Sequence, residues 1–266
     1  MTRIRIGAGS QRARVDLVGG AVVPRLIERG PSSARVALVA GGALLLGGDA
    51  VSIEVVVADG CSLELEDIGG TVAYDADGVA SSWSVDISVG VGARLSWLGQ
   101  PLIVAGGANV ERSTRIRLAH GAVVVLREVV VLGRSGEAGG RAVVQTSVTD
   151  AGGPVLEESV ELDGGAPVPG VLGANRVFDS LALLGAAAPC GAPDGAVLLT
   201  LEQPGAVARF LGDEAHRSPL AELWLRWATD AGRQSDSEPP SPVSLPSQRN
   251  ARITPAGKDL RSAPQQ

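Results

Sequence analysis

The side chains best suited to chemistry are few and widely separated along the chain. There are two histidines, His120 and His216, and two cysteines, Cys61 and Cys190. Nickel and zinc prefer imidazole and thiolate ligands, so four such groups far apart in sequence predict no preformed site for a soft metal. The sequence contains no G-x-S-x-G elbow, Walker A loop or H-E-x-x-H motif. We therefore expect a protein that is not an enzyme.

Carboxylates are the remaining side chains that could handle a metal ion, and they would bind it weakly and transiently. The candidates are Asp49, Glu64, Glu66, Asp67, Glu128 and Glu137. Taken singly, each is more simply explained as a solvated or turn carboxylate. The stretch Asp75-Ala-Asp-Gly78 begins like a calcium loop, but no glutamate follows at the spacing of the bidentate ligand. A polar hairpin tip is the simpler interpretation.

The elements that must position these groups are expected to be short β-strands. Hydrophobic residues make up 45% of the 266 residues and aromatic residues only 3%, so aliphatic side chains must build the core. The 36 glycines and 16 prolines also disfavour long helices. Apolar and polar residues alternate over 61–66, 84–89 and 114–118, which predicts strands with one buried face.

A glycine-centred turn recurs between successive predicted strands. The turns contain Gly60, Gly92 and Gly121, which are 32 and 29 residues apart. A period of about 30 residues that holds two strands and two turns is typical of stacked β-layers. We predict an all-β fold, mainly antiparallel, whose layers form a β-helix-like sandwich; an ordinary sandwich is the alternative.

One or two short helices are expected near the C-terminal end of the fold. Residues 218–229 begin with Ser218 as a suitable N-cap and Pro219 at the first helical position. The apolar stripe of this helix consists of Leu220, Leu223, Trp224 and Trp227. The stripe could bind a partner protein or pack on the protein's own sheet. Residues 175–184 are the second candidate helix.

The composition changes after residue 230. We assign residues 1–230 to the β domain and predict that 231–266, which are rich in proline and serine, are disordered. The first 230 residues carry 18 basic and 26 acidic side chains, and this acidic balance argues against nucleic-acid binding. No apolar stretch reaches the length of a membrane span, and the N-terminus lacks a secretory signal, so we expect a cytoplasmic protein.

Three stretches occur in a defined order along the chain. A glycine-rich segment, 41–49, is followed by a proline-led segment, 101–114, and then by a short glycine turn, 133–137. Together they resemble the UreD family of urease accessory proteins, over roughly residues 3–230. The residues that match the family motifs are Gly47, Gly48, Asp49, Glu128, Gly133, Arg134 and Glu137.

The resemblance implies a β-rich maturation chaperone or scaffold. It implies a complex with UreF, the GTPase UreG and apo-urease, in which nickel passes to the urease active site. The matching residues are then candidates for a nickel path, with nickel in transit and no cofactor bound stably. The family usually carries a Thr-Thr run followed by a lysine at the place where residues 67–74 stand in this chain. These residues contain no lysine, so no role of that lysine is expected here.

Two other classes of function are compatible with a β-rich chain. One is a carbohydrate-active enzyme of the solenoid or sandwich type that uses paired carboxylates. Only Trp83 and Trp97 lie on predicted strands and could stack on a sugar. The other class is a plain structural adaptor without a link to metals.

Overall fold

The computed structural model describes residues 1–75, 77–189 and 191–233, and these residues form seventeen β-strands and one α-helix. In chain order, the strands are β1 (Thr2–Gly7), β2 (Arg14–Val18), β3 (Val22–Arg29), β4 (Ser33–Ala40), β5 (Ala50–Val57), β6 (Ser62–Asp67), β7 (Thr71–Ala73), β8 (Ser81–Val89), β9 (Arg94–Leu98), β10 (Leu102–Val104), β11 (Asn109–Leu118), β12 (Val123–Leu132), β13 (Arg141–Asp150), β14 (Gly153–Asp163), β15 (Val177–Leu184), β16 (Ala196–Thr200) and β17 (Gly205–Gly212). A short 3-10 helix, Ala215–Arg217, precedes helix α1 (Leu220–Arg233).

The strands form two sheets that share one apolar core. Sheet A has the spatial order β14-β13-β11-β8-β5-β1-β2, and sheet B has the order β16-β17-β15-β12-β9-β6-β4-β3. The short strands β7 and β10 extend sheet B beside the end of β12. The inward side chains of both sheets interdigitate in a single cluster that is rich in Val, Leu and Ile. The fold is therefore all-β, as the composition predicted.

The glycine turns carry the chain from sheet A to sheet B. Gly60, Gly92 and Gly121 lie between β5 and β6, β8 and β9, and β11 and β12, with φ angles of 65°, 60° and 66°. Glycine adopts positive φ without the steric cost that a side chain adds. Successive turns stack, since the Gly60 amide donates to Val91 (2.9 Å) and the Gly92 amide to His120 (3.0 Å). This confirms the predicted solenoid-like repeat.

The expectation of mainly antiparallel pairing is wrong. The strands of the repeat, β5-β8-β11-β13 in sheet A and β4-β6-β9-β12 in sheet B, all pair in parallel. Antiparallel pairs flank them, including β1 with β2, β3 with β4, and β13 with β14. Because each glycine turn leads into the opposite sheet, the chain returns to the same sheet only after a full circuit and then runs in the same direction.

The second predicted helix is also wrong, because most of residues 175–184 form strand β15. Its even-numbered side chains, such as Phe178 and Leu184, face the core between the sheets. Its odd-numbered side chains, such as Leu181 and Leu183, face helix α1. A strand that is covered on both faces has a continuous apolar run instead of alternation, and such a run cannot be told from a buried helix by periodicity.

Helix α1 forms where the sequence predicted it and packs on the outer face of sheet B. The Ser218 hydroxyl accepts a hydrogen bond from the Leu220 amide (3.2 Å) at its start. The stripe side chains, which are Leu220, Leu223, Trp224 and Trp227, are all buried against strand residues such as Val125 and Leu181. Packing on the protein's own sheet is therefore the alternative that the structure shows. While the helix is docked, this stripe is closed to a partner.

Some residues named in the sequence analysis lie outside the described residues. Cys190 is one of them. Of the tail over 231–266, which was predicted to be disordered, the structure describes only residues 231–233 at the end of helix α1. Within the described ranges, no helix has the length and apolar character needed to cross a membrane.

Candidate functional site

Polar side chains from both sheets meet inside the apolar sandwich. We call this group the polar seam, and its members are Asp67, Trp97, Arg112, Thr114 and Glu128. Strands β6, β9 and β12 of sheet B supply Asp67, Trp97 and Glu128, while β11 of sheet A supplies Arg112 and Thr114. The seam thus joins residues that lie as far as 61 positions apart in the chain.

Glu128 lies between the sheets because it shares the inward phase of β12 with Val124, Leu126 and Val130. Its Oε1 atom accepts hydrogen bonds from Nε (3.0 Å) and Nη2 (2.8 Å) of Arg112. The same oxygen accepts a hydrogen bond from the hydroxyl of Thr114 (2.8 Å). Both charged side chains are only 11% exposed, so the pair is poorly screened by solvent.

The second carboxylate oxygen of Glu128 is left open. In the part of the chain that the structure describes, all hydrogen bonds to this side chain go to Oε1 and none goes to Oε2. A carboxylate oxygen can accept more than one hydrogen bond or coordinate a cation. Glu128 therefore keeps capacity for a further donor or for a metal ion.

Asp67 occupies the inward phase of β6 after Leu63 and Leu65. Its Oδ1 accepts a hydrogen bond from the indole of Trp97 (3.0 Å), and its Oδ2 accepts one from the Gln100 amide (3.0 Å). Burial raises the pKa of the Asp67 carboxyl, and the negative charge of Glu128 acts in the same direction. The two hydrogen bonds and the charge of Arg112 act against this effect of burial on the pKa of Asp67.

Arg112 has a second partner besides Glu128. Its guanidinium carbon lies 5.6 Å from the ring centroid of Trp83, a distance at which a cation is attracted to an aromatic face. Trp83 is the neighbour of Arg112 across the parallel β8/β11 pair. The guanidinium of Arg112 therefore contacts Trp83 on its own sheet and Glu128 on the opposite sheet at the same time.

The seam offers oxygen ligands that exchange readily instead of a closed metal site. No group of three or more His, Cys, Asp or Glu side chains is arranged to hold a metal ion anywhere in residues 1–75, 77–189 and 191–233. Both oxygens of Asp67 and the hydroxyl of Thr114 already make hydrogen bonds, so the open oxygen of Glu128 is the seam's available ligand for a divalent cation. The arrangement suits brief contact.

Gly133, Arg134 and Glu137 lie in the turn that follows β12, and this turn contacts Gly106 in the turn that follows β10. We call residues 133–137 together with Gly106 the loop end. The Glu137 carboxylate accepts hydrogen bonds from the Arg134 amide (3.1 Å), the Arg134 guanidinium (2.9 Å) and the Gly106 amide (3.1 Å). The hydrogen bond from the Arg134 side chain, followed by those from the two amides, lowers the pKa of Glu137 to about 2. Gly133 has a φ of 74°. These residues shape the β12–β13 connection.

The G-G-D residues form another turn. The Asp49 carboxylate accepts a hydrogen bond from the Leu46 amide (3.0 Å). Gly48, with a φ of 82°, donates its amide to Ala80 (3.0 Å), and Gly47 precedes it on the surface. Among the described residues, no hydrogen bond or ion pair links this turn or the loop end to the polar seam. Of the predicted path residues, only Glu128 lies in the seam.

Sequence analysis missed Arg112 and Thr114, and it gave Asp67 no role beyond that of a candidate carboxylate. The signal was present, since Arg112 falls in phase with Val110 and Ile116, and a charged residue in the apolar phase of a strand marks a buried polar contact. Glu64 and Glu66, also considered, form surface ion pairs with Arg35.

Comparison with known proteins identifies the family. The profile of the family described as UreD urease accessory protein matches residues 7–241. Urease accessory protein UreD 1 of Streptomyces griseus subsp. griseus is 37% identical over 230 residues, which cover 85% of this chain and 89% of that protein. Urease accessory protein UreD of Streptomyces avermitilis is 34% identical over 237 residues, which cover 82% and 89%. The chain therefore belongs to the UreD family of urease accessory proteins.

Proposed function

We propose that this protein is a cytoplasmic chaperone of urease maturation that acts with UreF and the GTPase UreG to deliver nickel into apo-urease. Family membership supports a role in urease maturation, because the relatives are named accessory proteins of urease and not ureases. The partners and the cargo are the finer part of the proposal. In this role the protein catalyses no reaction, and nickel is its cargo.

The observation that carries the proposal is the polar seam. Burying an ion pair in an apolar core costs desolvation energy that the attraction between the two charges often fails to offset. Arg112, Thr114 and Glu128 nevertheless meet between the sheets, and Glu128 keeps one open oxygen. We infer that nickel contacts Glu128 in transit and is released again, since the surrounding groups are too few to retain it.

The positions of the strand tryptophans argue further against the alternative of a carbohydrate-active enzyme. Trp83 and Trp97, the two tryptophans on strands that could have stacked on a sugar, are both buried inside the sandwich. Trp83 lies beside Arg112, and Trp97 donates its indole N–H to Asp67. Their rings are therefore closed to a polysaccharide.

The test uses a urease-positive host in which the gene for this chain is deleted and then supplied again. We expect the deletion to leave urease without nickel, and Glu128→Gln to lower nickel per urease severalfold while the complex with the partner proteins still forms. Glu54→Gln is the matched control, because Glu54 also pairs with arginines, Arg3 and Arg5, but does so on the outer face of sheet A. Nickel is measured by atomic absorption on purified urease.

Two results decide the matter. Normal nickel content in urease from the deletion host would refute the proposed function. Equal loss of nickel with Glu54→Gln and Glu128→Gln would refute the role of the seam.

A further inference from the structure

The two sheets of the sandwich differ in width by one strand. Two contacts fix how they face each other, because Glu128 of β12 bonds to Arg112 of β11, and Arg209 of β17 bonds to Glu158 of β14 (2.9 Å). With β11 opposite β12 and β14 opposite β17, the order of the sheets places β13 opposite β15. Strand β16, at the end of sheet B, then faces no strand among the described residues. Sheet A ends one strand short.

Because sheet A has no described strand opposite β16, apolar side chains on the inner face of β16 are uncovered. Val197 is paired in register with Arg209, and Leu199 with Val207, and both partners face the interior. Val207 is buried, whereas Val197 is 61% exposed and Leu199 is 49% exposed. The same pattern of alternation that buries side chains elsewhere in sheet B therefore leaves these two in solvent.

The place where a covering strand would lie is the free edge of β14. This strand has eleven residues and pairs only with β13 among the described strands, so the backbone groups along its other edge have no strand as a partner. Proteins usually protect such edges with prolines, bulges or covering loops. In β14 a proline, Pro154, and a register shift against β13 both lie at the start of the strand, between Gly153 and Leu156. A cavity of about 570 Å³, lined by residues such as Val160, Phe178 and Leu211, opens between β14, β17 and the loop over 166–171.

The charges beside this edge define what can bind there. The outward side chains of β14 include Glu157, Glu161 and Asp163. Glu161 pairs with Arg141 (2.7 Å), and Oδ1 of Asp163 accepts hydrogen bonds from the amides of Gly165 (2.8 Å) and Ala166 (2.9 Å). A strand added to β14 would place its outward side chains next to these carboxylates. Opposite charges on neighbouring strands stabilise a sheet, and like charges destabilise it.

We propose that an extended segment of a partner protein binds along β14 as the eighth strand of sheet A. Its apolar side chains cover Val197 and Leu199, and its alternate, basic side chains face Glu157 and Asp163. This is recognition by strand addition, in which backbone hydrogen bonds supply affinity and alternate side chains supply specificity. A second copy of β14 is a poor occupant, because it would place Glu157 and Glu161 next to the same carboxylates. The proposal is independent of nickel delivery.

The test uses the full chain and a synthetic peptide of about ten residues in which valine and lysine alternate. Hydrogen–deuterium exchange, read by mass spectrometry, reports protection of β14, and fluorescence anisotropy of the labelled peptide gives its Kd. We expect protection of β14 on binding and no binding of the same peptide with glutamate in place of lysine. Leu199→Lys is expected to weaken binding about tenfold, because it removes apolar cover and adds repulsion.

Val91→Lys is the matched control, since Val91 is also about half exposed (51%) but lies in the Gly92 turn, away from both edges. It should leave the Kd unchanged. The proposal is overturned if the glutamate peptide binds equally well, or if Leu199→Lys and Val91→Lys have the same effect. It is also overturned if the amides of β14 are already protected from exchange without peptide. Protection in a monomer would mean that another segment of this chain occupies the edge, and protection in a dimer would mean that a second copy does.

Discussion

The polar seam and the loop end each contain a glutamate–arginine pair that includes a residue of the family motifs, yet the two pairs differ in every physical respect. Arg134 and Glu137 are three positions apart in one turn, and their side chains are 55% and 29% exposed. Arg112 and Glu128 come from opposite sheets and are 11% exposed each. The first pair forms from local geometry, and the second requires the whole sandwich to be assembled.

The difference separates residues that shape a turn from residues that pair across the core. Glu137 ties its turn to Gly106 and so fixes the path of the chain between β12 and β13. The pair in the seam fixes no turn, and its desolvation works against stability. A costly feature without a structural need is a candidate for function. The seam and the loop end should therefore respond in opposite ways to substitution.

The largest expected effect on stability comes from removing one partner of the buried pair, Glu128, while Arg112 stays. In Glu128→Leu the guanidinium of Arg112 stays between the sheets without its counter-charge, so we expect the free energy of unfolding to fall by about 3–5 kcal/mol. Urea denaturation followed by circular dichroism measures this. Adding Arg112→Met removes the orphaned charge, and the double variant should return to within about 1 kcal/mol of the parent or exceed it.

The double variant also separates stability from function. It should fold and remain inactive in the urease nickel assay, because the carboxylate is absent. If the double variant restored nickel delivery along with stability, the seam would be structural, and the contrast with the loop end would disappear.

A smaller loss of stability is expected from Gly133→Ala in the loop end. Gly133 has a φ of 74°, and a Cβ atom there would collide with the backbone of Glu137 and Gly139. Strain and collision together should lower the free energy of unfolding by about 2–3 kcal/mol. Gly136→Ala is the control, because its φ is 81° but its Cβ would meet no atom within 4 Å, and it should cost about 1 kcal/mol. Equal losses in urea denaturation would mean that the turn rearranges freely.

The parts of the fold that could be predicted from sequence are those with local causes. The turns at Gly60, Gly92 and Gly121 follow from the need for positive φ, and helix α1 follows from its cap and stripe. Local patterns do not specify which strands become neighbours. The parallel order was therefore missed, and so was β15, whose two covered faces remove the alternation that marks a strand.

The candidate site was predictable to the same limited extent. Alternation places Arg112 in the inward phase of β11, so its interior position could have been derived from sequence. Strand β12 is apolar on both faces, so its sequence does not show whether Glu128 or its neighbour Arg127 points inward. The pairing of Arg112 with Glu128 could not be derived either, because it depends on how β11 and β12 stack across the core. Glu137 was assigned to a nickel path from its motif alone, and in the structure its carboxylate accepts hydrogen bonds from two donors of Arg134 and from the Gly106 amide.

The last contrast is in pH dependence, tested with Asp67→Asn. Because the pKa of Asp67 is raised in the folded protein, the folded state binds a proton more tightly than the unfolded state does. The stability linked to this proton is present below the unfolded pKa, which is near 3.8, and is lost as pH rises through the folded pKa. The parent should therefore gain stability relative to Asp67→Asn as pH falls from neutral toward 3.8, in urea denaturation series.

Glu137→Gln is the control with the opposite sign. The pKa of Glu137 is lowered from 4.5 to about 2, so its stabilising contribution is present above pH 4.5 and is lost as pH falls through about 2. The parent should thus lose stability relative to Glu137→Gln over this lower range, and the change should be small because Arg134 and Glu137 lie in solvent. If both variants shifted in the same direction, burial would not govern the charge of Asp67, and the seam would behave electrostatically like a surface turn.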